Sequence, residues 1–202
     1  MMFGLALLVL GCSGRGSVRH AEGPRDGPVV ILGDSLGAGF GVEPGEGFVP
    51  LLEKRLGITI TNLSKSGITT GDSLPRVKTE VLPLKPALVM LELGGNDALN
   101  RVEQAKTREN LAAMIKELQA EGIPVILIGV RGGMLSDDYA EMFQGLAEEY
   151  ETAFVPDLLE GILTHPELKI DSIHPNAKGH GLLADRVEPE LRRVWEVVGG
   201  GK

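Results

Sequence analysis

The chain has 202 residues, of which 43% are hydrophobic, 24% charged and 4% aromatic. This length predicts one domain with its own core, and a chain of this size folds without disulfides or a structural metal. The net charge of −8, with no concentration of Lys and Arg, argues against nucleic acid as a partner. The 28 glycines and 12 prolines are spread among apolar segments, which excludes disorder for most of the chain.

The N-terminus has the features of a processing signal. Residues 1–10 are almost wholly apolar, a run too short for a transmembrane helix but about right for the hydrophobic region of a signal peptide. The run leads into the single cysteine through the stretch Leu8-Val9-Leu10-Gly11-Cys12, which resembles a bacterial lipobox. The alternative is an apolar strand or helix in which Cys12 is a small buried residue.

The lipobox resemblance implies cleavage and a membrane anchor. We expect residues 1–11 to be a lipoprotein signal peptide and Cys12 to carry the lipid, so that the mature protein faces the periplasm of a bacterial cell envelope. Ser13 stands where an aspartate would favour the inner membrane, which points to the outer membrane. Residues 12–27 predict a flexible tether, and residues 28–202 predict a single domain.

From Pro28 onward, short β-branched runs alternate with longer amphipathic ones, which is typical of βαβ units around a parallel sheet. The strand candidates are Val29–Leu32, Ile58–Leu63, Ala87–Leu93, Pro124–Val130 and Ala153–Pro156. The helix candidates are Phe48–Leu56, Leu74–Leu82, Gln104–Glu121, Asp137–Tyr150 and Gly179–Val197. Right-handed crossovers then predict an α/β fold, a three-layer α/β/α sandwich around about five parallel strands. Ligands of such sheets bind at the carboxyl ends of the strands.

Four loops at or near these strand ends carry polar residues suited to one chemistry. Ser35 follows the first strand between glycines, Gly67 follows the second strand, and Asn96 follows the third. Before the last helix, Asp171 stands three residues ahead of His174, a spacing that lets a carboxylate orient an imidazole. Together these loops would supply a nucleophile, oxyanion donors and an oriented base.

Each of these signals is weak alone. A second Gly-Asp-Ser-Leu copy occurs at 71–74, where Ser73 follows no strand and is better interpreted as a helix cap. Asn96 and its neighbour Asp97 are also common turn formers, and a lone His174 is more often structural than catalytic. His180 is a competing base, but it has no carboxylate three residues before it, so we favour His174.

The motifs as a set are similar to those of the GDSL, or SGNH, hydrolase family, whose name gives its Ser, Gly, Asn and His. The matching segments are Gly33-Asp34-Ser35-Leu36, Gly67, Gly94-Gly95-Asn96-Asp97 and Asp171-Ser172-Ile173-His174-Pro175. They most resemble the thioesterase I, arylesterase and lysophospholipase L1 branch. The resemblance spans nearly the whole mature chain, and it implies a flavodoxin-like sandwich and a serine esterase that needs no metal or other cofactor.

The resemblance also implies a role for each residue. Ser35 would be the nucleophile, His174 the general base and then acid, and Asp171 the group that orients the imidazole. The backbone N–H groups of Ser35 and Gly67 and the Asn96 side chain would bind the oxyanion. Two further carboxylates would brace the loops rather than react, namely Asp34 and Asp97.

The substrate is less constrained than the chemistry. Met134 and Leu135, in the loop after the fourth strand, suit an apolar acyl tail, and few aromatic residues are present to stack sugars. We therefore expect a small-molecule acyl ester or thioester of short to medium length, such as an aryl ester or a lysophospholipid. The alternatives are a carbohydrate O-deacetylase and a non-catalytic lipid-binding lipoprotein. The sequence leaves the oligomeric state open.

Overall fold

Five parallel strands form the central sheet of the computed structural model, which describes residues 16–130 and 137–199. The strands are β1 Val29–Gly33, β2 Ile60–Asn62, β3 Leu88–Glu92, β4 Val125–Ile128 and β5 Ala153–Val155. Their order across the sheet is β2-β1-β3-β4-β5. Because the chain turns to one side after β1 and to the other side after β2, β1 and β3 flank the point where ligands bind in such sheets.

Helices cover both faces of this sheet. The helices are α1 Phe48–Leu56, α2 Thr70–Arg76, α3 Gly95–Leu99, α4 Gln104–Ala120, α5 Asp137–Glu149 and α6 Ala177–Val198. Alternate residues of β1 enter opposite cores: Ile31 packs with α1 and α6, whereas Leu32 packs with α4 and α5. Both side chains are fully buried, as expected for a parallel sheet between two helix layers. The predicted three-layer α/β/α sandwich is confirmed.

The second helix differs from its predicted position. The sequence pattern places it at Leu74–Leu82, but α2 begins at Thr70 and is followed by a π-helical turn, Val77–Val81. Its start is set by a capping box in which the Thr69 and Asp72 side chains each accept from the other residue's backbone N–H. This signal is a Thr-x-x-Asp variant of the capping-box pattern, and the apolar spacing alone does not reveal it.

Ser73 is not the helix cap that the sequence suggested. It lies inside α2 and is fully buried, because Thr69 already caps the helix one turn earlier. Its hydroxyl has no hydrogen-bond partner within the described ranges. The second Gly-Asp-Ser-Leu copy is therefore a buried helical segment, which is incompatible with a nucleophile exposed to substrate.

The part of the predicted tether that the structure describes, residues 16–27, packs on the domain instead. Val18 is 7% exposed and joins the core that lies beneath α6. The Arg19 backbone N–H donates to the Glu151 carbonyl at 2.9 Å, and the Arg25 N–H donates to the Val198 carbonyl at 2.7 Å. The sequence interpretation missed Val18 because one apolar residue among polar ones gives no periodic signal. Residues 1–11 and Cys12 lie outside the described residues.

No helix within residues 16–130 and 137–199 is both long enough and apolar enough to cross a bilayer. The longest, α6, has 22 residues, but it is amphipathic: apolar residues such as Leu183 and Val187 are buried, whereas Asp185, Arg192 and Glu196 are exposed. Its length therefore serves to cover one face of the sheet.

Two glycine substitutions test this packing. Alanine at Gly129, just after β4, would place its Cβ 2.4 Å from the Pro156 carbonyl oxygen, whereas alanine at Gly145 in α5 would meet no atom within 4 Å. We expect Gly129→Ala to lower the free energy of unfolding by about 1–3 kcal/mol. Gly145→Ala should raise it by up to about 1 kcal/mol, because alanine is the better helix former. Urea unfolding measures both, and equal effects would contradict the close approach at Gly129.

Candidate active site

The polar loops predicted from the sequence meet at one edge of the sheet. Gly33 at the end of β1 pairs with Glu92 at the end of β3, so the turn that carries Ser35 starts beside the loop that carries Asn96. The end of β2 brings the Gly67 loop to the same edge, because Lys65 N–H donates to the Gly33 carbonyl at 3.0 Å. The site lies where the strand order reverses.

Ser35, His174 and Asp171 form a hydrogen-bonded series. The distance from Ser35 Oγ to His174 Nε2 is 3.1 Å, and His174 Nδ1 lies 2.7 Å from Asp171 Oδ2. An ionised carboxylate only accepts, so Nδ1 carries the proton and Nε2 is free to accept from Ser35. The structure thus brings together the three residues that the sequence proposed for nucleophile, base and orienting acid.

The histidine loop is held from several sides. Asp171 Oδ1 accepts from the backbone N–H groups of Ile173 and His174, both at 2.8 Å. The Ile170 N–H donates to the His174 carbonyl at 2.9 Å, which closes the turn. Burial would raise the pKa of Asp171, but the hydrogen bonds from His174 and the two backbone groups outweigh it and lower this pKa to about 2. Asp171 therefore stays ionised throughout the neutral range.

The imidazole of His174 also packs against an aromatic ring. The centroid of the Phe40 ring lies 4.4 Å from that of His174, and Phe40 is 46% exposed. This contact covers one side of the imidazole, which leaves the series open to solvent and substrate from the other.

The proposed oxyanion donors have different surroundings. The backbone N–H groups of Ser35 and Gly67 make no hydrogen bond within the described ranges, and Gly67 has a φ of +78°, which favours glycine. Asn96 Nδ2 donates to the Ile68 carbonyl at 3.0 Å and to Asp34 Oδ2 at 3.2 Å. Two donors are thus unpaired, and the third is held in place by its neighbours.

Asp97 and Asp34 are only 0% and 3% exposed, respectively. Both accept hydrogen bonds from backbone and side-chain groups. Asp97 accepts from the Thr70 backbone N–H at 2.8 Å and from the Thr70 and Thr107 hydroxyls. Asp34 accepts from the Leu36 N–H at 3.0 Å and from Asn96. Burial raises the pKa of Asp34 to about 6. Asp97 thus links α3 to α2 and α4, and Asp34 links the Ser35 turn to α3.

A cavity of about 370 Å³ opens beside Ser35 and His174. Its wall is mostly apolar, and the sequence analysis proposed none of its aliphatic residues as substrate contacts, although Leu36 and Ile173 stand inside two of the motifs. They are Leu36, Ala98, Leu99, Val130, Leu159, Leu163 and Ile173. These residues come from five separate segments, so no local pattern marks them. The two residues proposed to contact the acyl chain, Met134 and Leu135, lie outside the described residues.

The competing histidine, His180, has a structural role. It is 1% exposed, and its Nδ1 accepts from the Phe48 backbone N–H at the start of α1 at 3.2 Å. Burial lowers the pKa of His180 to about 4, so the ring is neutral at physiological pH. Among the described residues, no group of three or more His, Cys, Asp or Glu side chains is arranged to hold a metal ion.

A serine hydrolase is the class of enzyme that this sheet edge and this hydrogen-bonded series define. The family follows from the sequence: the model of the GDSL-like lipase/acylhydrolase family matches residues 31–182, and the chain belongs to that family. This confirms the resemblance drawn from the four loop motifs.

The chain is similar along most of its length to curated and solved relatives. It is 34% identical over 175 residues to Esterase TesA of Pseudomonas aeruginosa, covering 81% of this chain and 87% of that protein. It is 27% identical over 172 residues to Thioesterase 1/protease 1/lysophospholipase L1 of Escherichia coli, with 81% and 83% covered. The crystal structure of a TesA superposes with a TM-score of 0.78 at 33% identity, covering 83% of this chain and 99% of that one.

The buried His180 predicts a pH dependence of stability. Because its folded-state pKa is about 4 rather than 6.5, the unfolded chain gains a proton below pH 6.5 that the folded chain does not. His180 should therefore contribute a decrease in the free energy of unfolding as the pH falls from 6.5 to 4, of at most about 1.4 kcal/mol per pH unit. His180→Gln should reduce the slope and the exposed variant His165→Gln should not, as measured by urea unfolding across this range. Equal slopes in both variants would argue against a neutral buried His180.

Proposed function

We propose that this protein hydrolyses carboxylic esters and thioesters of short to medium acyl chains through an acyl-enzyme on Ser35. The observation that carries the proposal is the series Ser35–His174–Asp171, with distances of 3.1 and 2.7 Å, at the mouth of an apolar cavity. The proposed class of reaction agrees with the names of two relatives, an esterase and a thioesterase and lysophospholipase.

In the proposed mechanism His174 Nε2 takes the proton of Ser35 Oγ as that oxygen attacks the substrate carbonyl carbon. The resulting imidazolium is stabilised by the ionised Asp171, and it then donates its proton to the leaving alcohol or thiol. The acyl group is now bonded to Ser35. A water molecule, deprotonated by the same Nε2, attacks this ester and releases the carboxylic acid and free Ser35.

The tetrahedral oxyanion would be bound by the unpaired N–H groups of Ser35 and Gly67 together with the Asn96 amide. Because both Nδ2 hydrogens of Asn96 are already used, on Ile68 and Asp34, Asn96 must exchange one of these bonds for the oxyanion. The bond to Asp34 is the longer of the two. The shorter bond, to the Ile68 carbonyl, can hold the amide in place during this exchange.

The cavity supports an acyl substrate rather than a sugar ester. Its apolar wall places aliphatic side chains such as Leu159 and Leu163 beside the nucleophile, where an acyl tail gains by leaving water. Tyr and Trp, which stack on sugar rings, are absent from the lining residues in the described ranges. A carbohydrate O-deacetylase is accordingly the less favoured function.

We also propose that the protein acts at the cell envelope. The stretch Leu8 to Cys12 supports removal of residues 1–11, lipidation of Cys12 and a periplasm-facing anchor in the outer membrane. The chain between Cys12 and residue 16 is short, and residues 16–27 pack on the domain. An anchored enzyme would meet lysophospholipids and other acyl esters at the membrane surface.

A fluorophosphonate probe tests the nucleophile, because it reacts with a serine whose base and oxyanion donors are assembled. We expect peptide mapping to find the label on Ser35 alone and Ser35→Ala to abolish it. Ser73→Ala is the matched control and should label as the wild type does. Label on Ser73, or none on a folded protein, would overturn these roles.

The orienting carboxylate is tested by kinetics. Asp171→Asn should lower kcat for an aryl ester by about 10⁴-fold, since it removes the acceptor that sets the His174 tautomer.

Acyl-chain length tests the cavity. We expect kcat/KM for p-nitrophenyl octanoate to exceed that for the acetate, and the same order for the corresponding thioesters. Leu163→Trp should lower the octanoate value by about tenfold or more and change the acetate value little, because it fills the cavity. Leu84→Trp, at an exposed leucine that does not line the cavity, serves as control. A clear preference for acetate would instead support the deacetylase function.

A further inference from the structure

Glu92 is a fully buried acidic residue that the mechanism above does not use. It is the last residue of β3, and its Oε2 accepts from the backbone N–H groups of Asp34 and Gly37, both at 3.1 Å. Asp34 and Gly37 are the two ends of the short turn that carries Ser35. One carboxyl oxygen therefore holds both ends of the nucleophile turn.

Two glycines make room for this carboxyl group. A Cβ at Gly33 would lie 2.7 Å from Glu92 Oε2, and a Cβ at Gly37 would lie 3.2 Å from it. The same hypothetical atoms would lie 2.8 and 2.3 Å from Ser64 Oγ. A side chain at either glycine would therefore displace the Glu92 carboxyl group or the Ser64 hydroxyl from its position against the turn.

The second carboxyl oxygen of Glu92 has no N–H or O–H partner. Oε1 is buried and unpaired within the described ranges, yet the carboxyl group of Asp34 lies within hydrogen-bonding reach of Glu92. Two carboxyl groups can share a hydrogen bond only when one of them is protonated. Within the described residues neither the Glu92 nor the Asp34 carboxyl group bonds to Lys or Arg. No Lys or Arg therefore offsets the second negative charge that would arise if both carboxyl groups were ionised.

The contacts favour Glu92 as the member of this pair that carries the proton, because its Oε1 receives no hydrogen bond whereas both oxygens of Asp34 accept one, from Leu36 and Asn96. Burial, and then the charge of Asp34, raise the pKa of Glu92 well above its ordinary value of 4.5. The pKa of Asp34 rises less, to about 6, because Leu36 and Glu92 donate to it. Two other titratable groups act on Asp34: His174, which lowers the pKa of Asp34 when the imidazole is protonated, and Asp97, which raises it.

We propose that Glu92 is a positioning residue that acts in its neutral form: it accepts from both ends of the Ser35 turn and donates its own proton to Asp34. This series of hydrogen bonds continues through Asp34 to Asn96, whose Nδ2 donates to Asp34 Oδ2 at 3.2 Å. Glu92 thus couples the nucleophile turn to the side chain proposed to bind the oxyanion. This inference rests on the proposed hydrolase function, and it adds a residue that never touches the substrate.

Three variants test the inference on the full chain. Glu92→Gln keeps an acceptor for the two backbone N–H groups and a donor for Asp34, so its kcat for p-nitrophenyl butyrate should be close to that of the wild type. Glu92→Leu removes both functions at similar volume, and a displaced Ser35 should lower kcat by about 10²-fold with a smaller change in KM. Ser64→Ala, which removes an unpaired hydroxyl beside the same turn, is the matched control.

A second readout needs no activity. The unfolded chain releases the Glu92 proton at about its ordinary pKa of 4.5 while the folded chain retains it, so Glu92 makes the free energy of unfolding fall as the pH rises above 4.5. When the free energy of unfolding from urea titrations is plotted against pH from 4.5 to 8, its slope should be more positive in Glu92→Gln than in the wild type and Ser64→Ala. A role in packing alone would not produce this difference.

The outcomes separate this inference from the function on which it rests. Loss of activity in Glu92→Gln as severe as in Glu92→Leu, or the same pH slope in Glu92→Gln and wild type, overturns the neutral positioning role. Full activity in Glu92→Leu overturns it as well. If wild type and Ser64→Ala fold but neither hydrolyses the ester nor labels at Ser35, the proposed function fails, and the pH slopes still decide the protonation of Glu92.

Discussion

The in-register pairing of β1 with β3 is the constraint on which the site depends. It places Gly33 beside Glu92, so that the turn carrying Ser35 starts against the loop carrying Asn96. Every polar element of the site is attached to a strand or helix end at this edge. Because parallel strands end together, loops that are distant in the chain meet here without any long insertion.

Around this edge the protein buries carboxyl groups and uses them chiefly as acceptors. Asp97 holds α2 through Thr70, Asp34 holds Asn96, and Glu92 holds the Ser35 turn. Each accepts from backbone N–H groups that would otherwise be unpaired, which offsets part of the cost of burial. Asp171 differs from these three in its exposure and in its partner: its side chain is 44% exposed, and it accepts from the His174 imidazole as well as from two backbone N–H groups.

Much of the fold could be predicted from local patterns. Strand β3 lies in a mostly apolar run, 87–93, bounded by Pro86 and Gly94, and α1 was predicted at its observed bounds, Phe48–Leu56. The start of α2 was missed because its capping box pairs Thr69 with Asp72 rather than with Glu or Gln. The packing of Val18 was missed because a single apolar residue in a polar stretch forms no periodic hydrophobic pattern. Local signals predict elements well where many residues share a pattern and poorly where one contact decides.

The sequence by itself determined the fold class and the family, and it was enough to propose Ser35, Asp171 and His174, because strand patterns and short motifs are local. Only the tertiary structure decided that Ser35 and His174, 139 positions apart, lie at 3.1 Å. It also decided that His180 is buried and that Glu92 lies beneath the nucleophile turn. The same holds for the apolar cavity, whose wall comes from separate segments. These properties depend on burial and on contacts between distant loops, which no local pattern encodes.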